Sequence, residues 1–228
     1  MCGRYEIEML DREYIKYMRD VMKAAPSIKK PRYNVAPSQT APILRWYDEK
    51  FAFHDVRWQL YEAWWKDMQS PRGPQMNARA DKVFKIAMYK HSMKKRRCLV
   101  LATGWYEWNR KRKSEPPRFI HMKDGRPVMF GGIWSTYHSD EKKIHQENFA
   151  IITTDAPDKI KPFHDRMPVI IKEKDYAKWL DPKNTDDTWL RKQLEPYKGR
   201  DLQVIQVSKY VNNVRNQGKE CIEPLVAD

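Results

Sequence analysis

The chain opens Met1-Cys2-Gly3-Arg4, and Cys2 is the residue whose position gives it chemistry. Initiator methionine is commonly removed ahead of a small side chain, and removal here leaves a free 1,2-aminothiol. The amine has a reference pKa of about 8 and the thiol of about 8.5, so a minor fraction of each is nucleophilic at neutral pH. Such a pair suits an aldehyde. The amine forms a Schiff base, and the thiolate then closes a five-membered thiazolidine on the imine carbon. The same residue also fits an ordinary cysteine in a frayed terminus.

Three further residues can hold or move protons. Glu107 lies near the end of Arg97–Trp108 (RCLVLATGWYEW), which reads as one strand with Leu99, Leu101, Thr103, Trp105 and Glu107 on one face. Its carboxylate is either partly desolvated there, which raises its pKa and makes it a proton shuttle, or marks where the strand reaches solvent. His164, in Phe163-His164-Asp165-Arg166-Met167-Pro168, sits in a loop before a strand; it is a neutral-pH proton carrier or a structural loop residue. Its neighbours Asp165 and Arg166 can orient it or hold a phosphate. Asn77, in Met76-Asn77-Ala78-Arg79, has an amide that donates and accepts without changing charge, beside an arginine able to reach phosphate; the tetrapeptide itself reads as a turn. Trp64 and Trp65 are a core pair or include a base-stacking platform.

The elements that must carry these residues are mostly strands. Residues 11–23 place Tyr14, Ile15, Met18, Val21 and Met22 at helical spacing behind Asp11 as N-cap. Residues 26–40 hold three prolines and read as loop, with Arg32-Tyr33-Asn34-Val35-Ala36-Pro37 as an irregular lead-in to a strand. Strands follow at 41–47 and 51–58 around a turn at Asp48–Lys50. Residues 66–77 read as loop, and 81–89 as a short helix. Extended segments continue at 97–108, 117–123, 128–136, 148–154, 167–172 and 202–209, with short helices at 173–180 and 186–195. The class is α+β without βαβ alternation. The run Lys94-Lys95-Arg96-Arg97 reads as a solvated loop.

Lysine and arginine number 44 against 30 aspartates and glutamates, a net charge of +14 that attracts polyanions, nucleic acid first among them. Nine tryptophans exclude a disordered chain. Eight glycines form no phosphate loop, and neither a CxxC pair nor an HExxH is present, so no metal or cofactor site is expected. Apolar runs stay short of the roughly 18 residues a membrane span needs, and the charged N-terminus reads as no signal peptide. The three cysteines, Cys2, Cys98 and Cys221, are widely spaced and fit a reducing cytoplasm, with Cys98 and Cys221 as structural thiols.

Six segments occur in a set order: Cys2-Gly3-Arg4-Tyr5, RYNVAP at 32–37, NARA at 77–80, GWYEW at 104–108, HDRMPV at 164–169 and NVRNQG at 213–218. Together they resemble the SOS-response-associated peptidase (SRAP) family from residue 2 to about residue 225. The resemblance implies a compact α+β fold, one domain over 1–228, around a barrel-like, mainly antiparallel sheet with short flanking helices. It implies a bacterial, DNA-associated damage-response protein that binds single-stranded DNA and crosslinks to abasic sites through Cys2, by a thiazolidine, after loss of Met1. Cys2, Asn77, Glu107 and His164 then match the catalytic set: nucleophile, holder of the sugar and N-terminal group, acid/base, and the group that opens the sugar and serves reversal. Arg4, Arg79 and Arg166 match phosphate contacts. Asn34, Pro37, Trp65 and Trp108 fall on the DNA groove, with Trp108 as wedge or stack. A monomer without membrane contact is expected.

Departures are confined to the groove wall. Trp58–Trp65 (WQLYEAWW) lacks the family's glycine-rich, proline-containing stretch, and Asp81 stands where a glutamate is usual. Two other functions fit the same residues: a cysteine peptidase acting in trans with Cys2, His164 and Asn77 or Glu107, and a noncatalytic single-strand-binding module.

Overall fold

The computed structural model describes residues 2–61, 75–109, 112, 114–139, 141 and 143–225. In chain order, β1 (Tyr5–Ile7) and α1 (Arg12–Met22) lead into β2 (Arg32–Val35), β3 (Thr40–Tyr47) and β4 (Lys50–Trp58). Next come β5 (Asn77–Arg79), α2 (Ala87–Lys95), β6 (Arg97–Ala102), β7 (Gly104–Glu107) and β8 (Arg118–Met122). The long pair β9 (Val128–Ser139) and β10 (Ile144–Asp155) precedes β11 (Arg166–Pro168), β12 (Ile170–Ile171), α3 (Tyr176–Leu180), α4 (Asp187–Gln193) and β13 (Leu202–Gln206). No helix among the described residues is long and apolar enough to cross a membrane.

Five strands close a barrel in the order β10-β4-β3-β6-β9, and β9 returns to β10. All pairings around it are antiparallel except β10 with β4, which run in parallel at Asn148 with Arg57 and Phe149 with Trp58. A second sheet, β13-β8-β7-β1-β2, packs beside the barrel. Tyr5, Trp58, Trp105 and Phe130 meet edge to face between the two layers and fill the core. The fold is thus the barrel-centred α+β class expected.

Local chemistry explains the elements that form as the sequence predicts. Asp11 accepts a hydrogen bond from the Tyr14 amide at 2.6 Å and starts α1, which buries the row Tyr14, Met18, Met22. Val21 faces solvent instead of joining that row. Asp48 and Glu49 both take positive φ, the geometry that a two-residue hairpin needs between β3 and β4.

Four expectations change. Arg32–Val35 and Asn77–Arg79, read as irregular and as a turn, are strands whose partners lie far away in sequence. The helix expected at 81–89 starts only at Ala87, because Asp81 bridges Arg79 at 3.0 Å instead of capping a helix. The run 94–97 is no solvated loop: Lys94 and Lys95 end α2, and Arg97 is buried. Its guanidinium donates to five carbonyl oxygens, those of Met93, Lys94, Trp179, Asp181 and Asn184, and so closes the C-terminal ends of α2 and α3 together. Burial lowers its pKa to about 10, which still leaves it charged at neutral pH.

The fourth change positions the site. Residues 97–108 are two strands, β6 in the barrel and β7 in the second sheet, with the crossing at Thr103. Thr103 receives the Glu8 amide on its hydroxyl at 3.0 Å, donates that hydroxyl to the Glu6 carboxylate at 2.9 Å, and gives its own amide to the Glu6 carbonyl at 2.9 Å. Gly104 follows because a Cβ there would meet the Phe119 ring at 2.3 Å and the Ile120 carbonyl at 2.9 Å.

Glu6 at this crossing is buried, and desolvation raises its pKa from 4.5 to about 7 despite the Thr103 hydrogen bond. A carboxyl whose folded pKa exceeds its unfolded value binds protons preferentially in the native state. Stability should therefore fall as pH rises from about 4.5 to 7 and stay lower above that, by at most on the order of 3 kcal/mol from this group. Glu6→Gln should remove this slope and raise the thermal midpoint at pH 8 relative to the parent. Calorimetry at pH 5 and pH 8 checks it, and a parallel loss at both values would refute it.

Candidate active site

Pairing of β1 with β7 brings Cys2 to Glu107. Tyr5 lies opposite Trp105 and Glu6 opposite Gly104, and the Tyr106 amide donates to the Arg4 carbonyl at 3.0 Å. The same register carried outward sets Gly3 against Glu107, one residue from Cys2. Cys2 is fully buried, with Sγ 3.8 Å from the Arg4 carbonyl oxygen. Burial pushes its thiol pKa well above the ordinary value, and the negative charge of Glu107 pushes it further. Glu107 itself is buried along with the rest of β7, so the desolvated environment, not the solvent-reaching one, is realised.

The far end of β10 supplies the other two groups. β5 lies parallel to it, with Asn77 beside Ile151 and Arg79 beside Thr153. β11 lies antiparallel, with Arg166 opposite Asp155. From β5, the Asn77 side-chain amide donates to the Cys2 carbonyl at 2.8 Å. The Asn77 Oδ1 is buried and makes no hydrogen bond among the described residues, which leaves an acceptor beside the terminus. His164 is buried on the turn entering β11, and its Nε2 lies 4.0 Å from the Glu107 carboxylate. Its Nδ1 accepts the Arg166 amide at 2.9 Å, so the neutral ring carries its proton on Nε2, toward Glu107. Asp165 Oδ1 lies 3.0 Å from the same Nδ1 and faces a proton there when the ring is charged. Cys2, Asn77, Glu107 and His164, far apart in sequence, thus form one cluster: a desolvated thiol, a neutral amide, a carboxylate and an imidazole.

The groove residues divide. Arg79 is open to solvent and held by Asp81. Arg166 is buried, pairs with Asp155 and donates to the Thr153 carbonyl; with Arg79 and Arg191 it lines a cleft of about 350 Å³. Arg4 is turned inward, donating to Asn34 at 2.7 Å and to the carbonyls of Val211 and Asn212. Asn34, expected on the groove, is fully buried and anchors the backbone of residues 211–216 through its amide. Trp108 is half-buried, with its indole N–H donating to Asn212 at 2.7 Å and the Arg4 guanidinium 5.9 Å from its ring centre. Pro37 is half-buried in the β2–β3 turn. Trp64 and Trp65 lie outside the described residues. Sequence reasoning missed Asn212 as the partner of Trp108; its only signal was adjacency to NVRNQG. It also missed Arg191.

A closed five-strand barrel flanked by a sheet that delivers a near-terminal cysteine onto an Asn–Glu–His cluster defines a narrow structural class. The sequence profile of the SOS response associated peptidase (SRAP) family matches residues 1–214, and the chain belongs to that family. It is 31% identical over 224 residues to abasic site processing protein YoqW of Bacillus subtilis, covering 98% of this chain and 99% of that one. It is 28% identical over 239 residues to abasic site processing protein YedK of Escherichia coli, covering 99% and 100%. A crystal structure of a protein from Bacteroides thetaiotaomicron shares the fold with a TM-score of 0.81 at 20% identity, over 98% of this chain and 100% of that chain.

The electrostatics of Cys2 make a direct test. Glu107→Gln removes the charge that holds the thiol up, so the Cys2 pKa should fall while remaining above the ordinary range because burial persists. The pH midpoint of Cys2 alkylation, followed at peptide level by mass spectrometry, should move down; an unchanged or higher midpoint would contradict the proximity of the two groups.

Proposed function

We propose that the protein processes abasic sites in single-stranded DNA by forming a thiazolidine between the sugar aldehyde and Cys2, once Met1 has been removed. The observation that carries the reading is the placement of the near-terminal residue itself. Cys2 is held by Asn77 through its carbonyl and lies beside Glu107 and His164. Relatives named abasic site processing proteins over nearly the whole length support the same reading.

The chemistry follows from protonation states. A raised thiol pKa keeps Sγ neutral at the start, so the amine acts first. The amine nitrogen attacks C1′ of the open-chain sugar and gives a carbinolamine, which loses water to form an imine. Sγ then adds to the imine carbon while the thiol proton moves to nitrogen, closing the ring with one water released overall. In this reading Glu107 takes the proton from the attacking groups, and His164, with its Nε2 proton toward Glu107, protonates the ring oxygen as the sugar opens. Asn77 holds the terminus, and its Oδ1 accepts from the amine or a sugar hydroxyl. Only a single strand exposes the baseless sugar to so enclosed a cluster. A trans-acting cysteine peptidase would need a thiol pKa lowered by an imidazolium, whereas Cys2 is raised and His164 addresses Glu107.

Incubation with an oligonucleotide carrying one abasic site, followed by denaturation and intact-mass measurement, should show protein lacking Met1 joined to DNA minus one water. Cys2→Ala and a blocked amine should each abolish the adduct. Glu107→Gln and His164→Gln should slow it by roughly 10²- to 10⁴-fold, the usual range for a missing acid/base. Adduct surviving in Cys2→Ala, or parental rates in both other variants, would overturn the assignment; salt-sensitive binding with no adduct at all would leave a noncatalytic module.

A further inference from the structure

A second basic cleft, separate from that of Arg79 and Arg166, adjoins the cluster through Phe163 and Arg118, neither of which belongs to the six motifs. Arg118 on β8 is the cross-strand partner of Glu107, so both side chains leave the same face of the sheet. The carboxylate turns into the buried cluster. The guanidinium, mostly buried, donates to the Pro116 carbonyl at 3.1 Å and lies 4.9 Å from the ring centre of Phe163, the residue before His164. Asn109, Arg112, Glu115, Arg118, Pro162 and Phe163 line a cleft of about 320 Å³. Glu115 gathers its donors: one oxygen binds Arg112 at 3.0 Å, and the other binds the Asn109 amide at 3.2 Å and lies 3.9 Å from Arg118.

The two basic clefts share no lining residue, and each adjoins the segment that carries His164: Phe163 lines one and Arg166 the other. Glu107, the cross-strand neighbour of Arg118, faces the Nε2 of His164. A strand whose sugar enters the cluster must leave in two directions, and the Arg79–Arg166–Arg191 cleft serves only one. We infer that the Arg112–Arg118–Phe163 cleft binds the phosphodiester of the nucleotide flanking the reacting sugar on the second side. Two arginines against one glutamate leave the cleft positive, Asn109 adds a neutral donor, and Phe163 gives an apolar floor against which a deoxyribose packs. The inference rests on the abasic-site reading above.

The test separates the two. Binding is measured by fluorescence anisotropy with a tetrahydrofuran abasic analogue, which has no aldehyde and cannot crosslink, in oligonucleotides carrying both flanks or lacking one. The parent should bind more weakly on removal of either flank. In Arg112→Gln/Arg118→Gln, affinity for the full oligonucleotide should fall about tenfold, and the log K against log salt slope should flatten by about 0.7 for each phosphate no longer neutralised. Removal of one particular flank should then have no further effect, the coupling expected of groups that touch. The exposed Arg112→Gln alone should show part of this weakening, which guards against misfolding as the cause, and Arg118→Lys should restore most of the salt slope. Equal weakening for full and truncated oligonucleotides, or an unchanged slope, would overturn the cleft assignment even if the parent forms adduct with a natural abasic site. Absence of that adduct in the parent would instead overturn the function on which it rests.

Discussion

The site depends on one constraint: the last four residues of β10 run past its pairing with β9 in the closed barrel and must find hydrogen-bond partners on both edges. β5 takes one edge in parallel and β11 the other in antiparallel, so Asn77 and the turn bearing His164 are fixed by backbone pairing alone. Unpaired buried amides would carry a penalty of roughly 1–3 kcal/mol each, so neither short strand is free to drift. A three-residue strand has no independent stability; here it is determined by the strand it completes. The second half of the cluster arrives through β1 on β7, and the Glu6–Thr103 hydrogen bond locks the crossing between the two sheets. Geometry tight enough for acid/base chemistry thus comes from pairing at the ends of long strands, where side chains of four elements converge.

Burial then dictates the order of events. A thiol in water is partly ionised near neutrality, but Cys2 sits beside a carboxylate and away from solvent, so its proton stays on until an electrophile arrives. That protects it from adventitious oxidation, which requires a thiolate. In the proposed reaction the carboxylate serves twice: Glu107 discourages early ionisation of the thiol by its charge and takes up the proton once the imine has formed. His164, held by the Arg166 amide on one nitrogen and facing Glu107 with the other, keeps a definite tautomer.

Much of this was legible in the sequence where local chemistry decides the outcome. Asp11 capped its helix, the Asp48–Glu49 hairpin formed, and the long apolar runs became β3, β4, β6, β9 and β10. Cys2, Asn77, Glu107 and His164, singled out by residue type and motif order, lie together in the fold, although nothing local in the sequence joins them. What escaped depends on distant partners. Residues 32–35 and 77–79 carry no alternating pattern because each is only a short addition to another strand. The break at Thr103 was invisible because β6 and β7 are buried on both faces, and a single threonine between apolar residues fits a continuous strand equally well. Asn34, set on the groove by the family resemblance and on an irregular segment by its local sequence, is instead buried on β2, where its amide supports the backbone of residues 211–216.

The net charge of +14 shows how such a surface divides its labour. Arg97 and Arg45 are inside the frame, the first on five carbonyls and the second between the rings of Tyr47 and Trp134 with Glu147 as ion partner. Arg4 braces the segment under Trp108. The arginines nearest the cluster each keep a carboxylate: Arg79 has Asp81, Arg166 has Asp155, and Arg112 and Arg118 share Glu115. Such partners weaken long-range attraction, but they also restrict side chains that would otherwise give up rotamer freedom on binding. A phosphate has to displace or share those carboxylates, which favours an anion at the right position over one merely nearby. The bulk of the lysines, on the outer surface, raises the encounter rate with any polyanion, whereas in the proposed reaction the few paired arginines around Cys2 set where the strand comes to rest.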